Sequence, residues 1–181
     1  MATRFYTATS LDGFLATDDD SVDWLDALPQ PSEDTYAPFI ETVGAICMGS
    51  ATFEFLERHM AQGNPWPYQD HPVCVFTSKP RQAPEGADVR FASGDVPPVH
   101  AEMVAAAETA GKPDVWVCGG GGLAAAFLEA GLLDELILTV AASTLGSGKP
   151  LLPTAVRLRF TSARMLGEGF VELRLVPERV P

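Results

Sequence analysis

The sequence predicts a three-layer α/β/α fold on a mostly parallel central sheet with an antiparallel C-terminal edge. Through the middle of the chain, short apolar runs alternate with stretches at helical spacing, the pattern of strands joined by crossover helices. Two strand-to-helix junctions are built from small residues, Gly49-Ser50-Ala51-Thr52 and Gly119-Gly120-Gly121-Gly122. Beyond them, two extended runs flank Gly167-Glu168-Gly169 and read as a terminal hairpin.

Each element has its own signal. Residues 5–9 alternate as a strand and turn through Ser10-Leu11-Asp12-Gly13 into a short return, Phe14-Leu15-Ala16. The acidic, proline-bearing stretch 18–31, with Trp24 at its middle, is a long loop of the kind that carries binding residues. Ser32 is placed to cap a helix with Glu33 and Asp34 in its first turn and Tyr36, Phe39, Ile40 and Val43 on one face. Residues 45–48 form a buried strand, and the following helix carries Phe53, Leu56 and Met60 as its stripe. Pro65-Trp66-Pro67 breaks the chain before the strand 73–76, which ends in Thr77-Ser78-Lys79-Pro80. Residues 89–91 are a weaker strand, and Asp95 and Pro98 open a helix that runs toward Gly111. The strand 114–118 enters the glycine run and a helix with Leu123, Ala126, Phe127 and Ala130 on one face. A strand at 135–142, the loop 145–149 and paired strands at 156–163 and 170–176 complete the chain.

Composition narrows the function. The 181 residues make one domain, 1–181, with a single sizeable core. With 12 Lys and Arg against 24 Asp and Glu, the net charge of -12 disfavours nucleic acid or an anionic membrane as a partner. The first residues lack a signal-peptide pattern, and Glu129, Asp134 and Glu135 interrupt the longest apolar region, so a cytoplasmic location is expected. Cys47, Cys74 and Cys118 lie in apolar runs as free thiols, and His59, His71 and His100 match no ligand spacing, so no metal site is expected.

A strand that opens through four glycines into a helix leaves unpaired N–H groups at the positive end of the helix dipole, a site for phosphate or pyrophosphate. Gly119-x-Gly121-x-x-Ala124 formally satisfies the dinucleotide fingerprint of doubly wound domains. That scheme needs an acid at the end of the next strand, where this chain has Thr139-Val140-Ala141-Ala142, so it does not apply.

An ordered set of segments carries a different resemblance. These are residues 8–16, Asp23-Trp24, residues 47–54, residues 76–79, residues 117–123, residues 131–136 and Leu145-Gly146-Ser147-Gly148. In this order they span almost the whole chain and resemble the dihydrofolate-reductase-like superfamily, in the branch containing the reductase domain of the bacterial riboflavin-biosynthesis deaminase-reductase. The resemblance implies NADPH along the sheet edge. Gly119, Gly120, Gly121, Gly122 and Leu123 would hold its pyrophosphate through backbone N–H groups, and Gly49, Ser50, Ala51 and Thr52 would also contact its phosphates. Thr77, Ser78 and Lys79 would lie near the adenosine ribose, Ala8 would meet the nicotinamide carboxamide, and Leu15 and Trp24 would flank the nicotinamide.

Two departures bear on activity. Many stand-alone relatives carry Met-Gly-Arg where this chain has Met48-Gly49-Ser50, which removes one phosphate-binding cation. The acid that folate enzymes use is out of register here, with Asp26 the nearest and Glu33 and Asp34 beyond it; the riboflavin-pathway acid before the glycines is replaced by Cys118. The expected protein is an NADPH-dependent reductase acting on a small C=N or C=O substrate, with Asp12 and Asp26 as proton donor or substrate anchor, and a homodimer. The alternatives are an NADPH-binding dimeric protein without turnover, or a genuine dihydrofolate reductase.

Overall fold

The computed structural model describes residues 1–178. In chain order the elements are β1 (Ala2–Ser10), β2 (Phe14–Ala16), α1 (Tyr36–Ile40), β3 (Val43–Gly49), α2 (Ser50–Ala61), β4 (Val73–Phe76) and β5 (Val89–Ala92). They continue as α3 (Val96–Thr109), β6 (Asp114–Val117), α4 (Gly121–Glu129), β7 (Glu135–Ala141), β8 (Lys149–Pro150), β9 (Leu158–Met165) and β10 (Phe170–Pro177). A 3-10 turn at Asp23–Leu25 interrupts the long loop.

The main sheet runs β5-β4-β3-β6-β1-β7-β10-β9. Its first six strands are mutually parallel, and β10 and β9 close it in antiparallel fashion, as the sequence predicts. β2 pairs instead with β8 in a small separate sheet. No helix among the described residues is long and apolar enough to cross a membrane.

Both faces of the central strands are covered, which is why β3 reads as an unbroken apolar run rather than an alternation. On one face Phe5, Val117, Met103 and Phe127 form the core with α3 and α4. On the other Phe39, Phe53, Trp66, Tyr68 and Trp116 form an aromatic layer, in which Trp116 stands edge-on to Tyr68 at 5.6 Å and to Phe39 at 5.5 Å. The Trp116 Nε1–H donates to the Tyr6 carbonyl at 3.0 Å, so this buried ring has its polar atom satisfied.

Several element boundaries and one helix face differ from the sequence expectation. Asp34, not Ser32, supplies the side chain that caps α1: its Oδ1 accepts the Tyr36 and Ala37 N–H groups at 2.8 and 3.1 Å. Val43 belongs to β3, where full burial outweighs its helical spacing from Phe39. The α4 face that is buried carries Gly121, Ala124, Ala125 and Phe127, while Ala130 is exposed, because Gly121 turns toward the 150–151 backbone. Strand β9 starts at Leu158, and its outer surface leaves Phe160 and Met165 exposed.

Beyond the aromatic layer the same face carries a line of alternating charges. Arg4 pairs with Asp114 and lies 2.9 Å from Glu135; Arg174 bridges Glu135 at 3.7 Å and Glu172 at 3.1 Å; Arg164 joins Glu172 at 3.0 Å to Glu33. The Glu172 side chain is only 2% exposed. Burial pushes its pKa up, but the hydrogen bonds from Arg164 and Arg174 outweigh that, and the net direction is down.

Two stability predictions follow from this packing. A Cβ on Gly44 would stand 2.6 Å from Ala107 Cα, so α3 rests directly on the β3 backbone. Gly44→Ala is expected to cost about 1–3 kcal/mol in urea unfolding through the displacement of α3. A carboxyl whose folded pKa is depressed stabilises the fold above its unfolded pKa and loses that contribution as pH falls through the folded value. Glu172→Gln should therefore cost about 1.5–3 kcal/mol near neutral pH, with the gap to the unmodified protein closing as both are acidified.

Candidate functional site

The register of the parallel strands gathers the predicted segments. Cys47 pairs with Val117, Gly49 with Phe76 and Phe5 with Val117, so β4, β3 and β6 finish along one edge, beside which β1 continues to Ser10. Thr77-Ser78-Lys79, Gly49 to Thr52, Gly119 to Leu123 and Ala8 therefore follow one another along the carboxyl edge, where open α/β sheets bind ligands.

At its centre two helix N-termini stand side by side. Gly49 caps α2 and Gly120 caps α4, both without a side-chain capping bond, so the positive ends of both helices are left for another partner. A Cβ built on Gly49 or Gly122 meets nothing within 4 Å, and neither has a positive φ. The fold itself does not require glycine at either position, and open space lies where their side chains would be.

The remaining glycines act within the fold. Gly119 at φ +138° and Gly120 at +80° make the turn in a region that favours glycine. A Cβ on Gly119 would stand 3.1 Å from Thr52 Oγ1, so the two junctions touch. On Gly121 it would stand 2.2 Å from the Pro150 carbonyl oxygen and 2.5 Å from that of Leu151. Leu123 donates its N–H to the Gly120 carbonyl at 3.0 Å, so the N–H expected to face a phosphate is already bonded within the turn. The Leu123 N–H is thus engaged within the turn, whereas those of Gly119, Gly120, Gly121 and Gly122 have no backbone hydrogen-bond partner among the described residues. Ser50 is half-buried and Ala51 exposed at the start of α2. Thr77 Oγ1 accepts the Lys79 N–H at 3.1 Å, Ser78 is exposed, and the Lys79 side chain is 71% exposed.

Ala8 leads from this edge into a cavity of about 430 Å³, lined also by Tyr6, Leu25, Asp26, Gln30, Glu33, Asp34, Thr35, Tyr36, Thr139 and Phe170. All three acids that the sequence offered in this region reach it. Asp34 is engaged in capping α1 and Glu33 in pairing with Arg164. Asp26 is exposed and has no side-chain partner among the described residues. Tyr6 donates to or accepts from Thr35 at 2.7 Å, and burial raises the pKa of both Tyr6 and Tyr36, which keeps them neutral.

Asp12 stands apart from that cavity. Its carboxylate accepts from Ser10 Oγ at 2.6 Å, Leu145 N at 3.1 Å and Gly146 N at 2.7 Å. The Ser10 hydroxyl, with the Gly146 and Leu145 amides, holds its pKa below the usual carboxylate value against a smaller desolvation effect. Leu15 and Trp24, expected to flank one ring, fall in different clusters. Leu15 packs on the α3–α4 core, whereas Trp24 joins Ala141, Leu166 and Phe170.

Sequence reasoning missed Tyr6, Thr139, Thr35, Tyr36, Gln30 and Phe170 as lining residues. Tyr6 and Thr139 had a usable signal: Tyr6 shares a face with Ala8 by strand alternation, and Thr139 is the register partner of Ala8. Cys118, beside the glycines, lies 3.3 Å from Tyr68 Oη. Desolvation pushes its thiol up to about 12 while the Tyr68 hydrogen bond opposes this, so it stays protonated at neutral pH.

Residues 3–171 match the family model described as the RibD C-terminal domain. The uncharacterized protein YwjB of Bacillus subtilis (strain 168) is 33% identical over 178 residues, covering 96% of this chain and 97% of YwjB. A Shewanella sp. PV-4 protein provisionally named for riboflavin biosynthesis superposes with a TM-score of 0.79 at 26% identity, covering 99% of this chain and 100% of that one. Dihydrofolate reductase from Enterococcus faecalis, complexed with NADP(H), shares the fold, with a TM-score of 0.63 at 16% identity over 98% of this chain and 97% of its own. A domain match over nearly the whole chain, and a relative that is one-third identical along its full length, place this protein in the RibD C-terminal domain family, reductase-like and built on a dihydrofolate-reductase-like fold.

Proposed function

We propose that the protein is an NADPH-dependent reductase acting on a small C=N or C=O compound held in the cavity over Ala8. The observation that carries this reading is the continuity of the site. Two uncapped helix N-termini with open glycines occupy the same sheet edge from which Ala8 leads into the cavity. The residues fit a dinucleotide: Gly49, Gly121 and Gly122 would hold the pyrophosphate, Thr77, Ser78 and Lys79 the adenosine end, and Ala8 the carboxamide. NADPH supplies the hydride when bound.

The protein's own part is to position, to exclude water and to manage a proton. Tyr6, Tyr36 and Phe170 wall the cavity, and Asp26 is the carboxyl free to anchor a substrate nitrogen or pass a proton to it. Asp12 acts as a positioning residue. Through Leu145 and Gly146 it fixes the 145–151 segment, whose far end lies against Gly121. The exposed edge strand β9, with Phe160 and Met165, is the surface this reading assigns to a second copy of the chain.

Two measurements test the assignment. Gly122→Leu adds a side chain to open space, so it should keep the unfolding temperature within a few degrees and weaken NADPH binding at least about tenfold, the loss of one charge-assisted contact. Gly121→Ala should instead destabilise the fold, because its Cβ meets the 150–151 backbone. Unchanged NADPH affinity in Gly122→Leu would refute the phosphate site.

A panel of C=N and C=O compounds, followed at the reduced-nicotinamide absorbance, tests turnover. Dihydrofolate is expected near background, since the exposed Asp26 is no buried pterin acid. On an accepted compound Asp26→Asn should lower kcat by about 10²–10⁴ with NADPH affinity unchanged. Dihydrofolate reduction at an ordinary enzymatic rate would favour the folate reading; NADPH binding without turnover across the panel would favour a non-catalytic protein.

A further inference from the structure

We infer that Glu54 sets how strongly the protein distinguishes NADPH from NADH, by holding the cations of the 77–81 turn away from the adenosine 2′-phosphate. This rests on the reading of the sheet edge as a dinucleotide site. The two cofactors differ there by a single phosphate group, so discrimination depends on the net charge and the free donors that group meets.

The turn that follows β4 carries two cations, Lys79 and Arg81, and both face α2. Arg81 lies folded inward at 19% exposure, paired with Glu54 through one nitrogen and with Glu57 at 3.1 Å through another. Lys79 Nζ lies 3.8 Å from the same Glu54 oxygen that Arg81 uses. Two cations and two carboxylates sum to zero. A phosphate arriving at Thr77 and Ser78 therefore meets hydroxyl donors but no net positive charge. Lys79 is mostly in water, so its hold on Glu54 is weak and it can turn to a phosphate; Glu54 competes with that phosphate for it. With no arginine at position 50, no cationic side chain in the β3–α2 junction makes up the difference.

Calorimetric or fluorescence titration with NADPH and NADH tests this without any turnover. The unmodified protein should bind NADPH more tightly by less than about tenfold. Glu54→Gln frees Lys79 and part of Arg81, and should tighten NADPH by roughly tenfold or more, as for one charge-assisted contact, with NADH changed less than about twofold. Adding Lys79→Ala to Glu54→Gln should remove the gain. An unmoved ratio in Glu54→Gln, or equal shifts for both cofactors, overturns the inference, as does a preference above about a hundredfold in the unmodified protein, which needs no variant to fold. Failure of the unmodified protein to bind either dinucleotide overturns the underlying site reading, and this inference with it.

Discussion

Everything proposed for this molecule depends on the in-register pairing of four parallel strands, β4, β3, β6 and β1. Each carries one segment of the candidate site at or near its carboxyl end, and only the matched register makes those segments neighbours. A slip by one residue would reverse every side chain on a strand and move its loop along the edge. The register is held from both faces. Ala107 presses on the bare backbone at Gly44, and Trp116 anchors its indole to the Tyr6 carbonyl on the adjacent strand. The glycine cradle is thus a product of core packing several residues away.

To bind an anion, a chain with a net charge of -12 would have to create a local field against its own average. The peptide dipoles at the uncapped ends of α2 and α4, rather than a patch of lysines, are what the proposed site would use. The described arginines are largely committed elsewhere: Arg4, Arg164 and Arg174 neutralise buried or half-buried acids, and Arg81 neutralises Glu54 and Glu57. Backbone donors keep their charge at any pH and bring no side chain that could block a ligand.

The fold was largely legible because its strongest signals are local. Continuous apolar runs mark β3, β4 and β6, and small residues mark the two junctions. The helix around Phe39 was read too long because Val43 satisfies helical spacing and strand burial equally, and only the sheet decides between them. In α4 the buried face was misread because the loop that contacts Gly121 lies about thirty residues further on. The junctions gathered on the carboxyl edge were legible through their glycines and through resemblance. The cavity was not: Tyr36, Thr139 and Phe170 come from three separate elements, and no local pattern announces their meeting. Asp12 precedes a glycine, which suggests a turn, but its grip on residues 145 and 146 spans more than a hundred positions.

The 145–151 segment has the composition of a spare surface connection and the mechanics of a strut. One end hangs from Asp12; Gly148 sits so close to Ala16 that a Cβ would stand 2.1 Å from its carbonyl oxygen, and the far end fits against Gly121. Its length is therefore dictated by the span between the β1–β2 turn and the first turn of α4. For engineering, this makes it the wrong place to graft a tag, insert a domain or open a permuted terminus, although its glycines and serine would recommend it to anyone choosing by sequence alone.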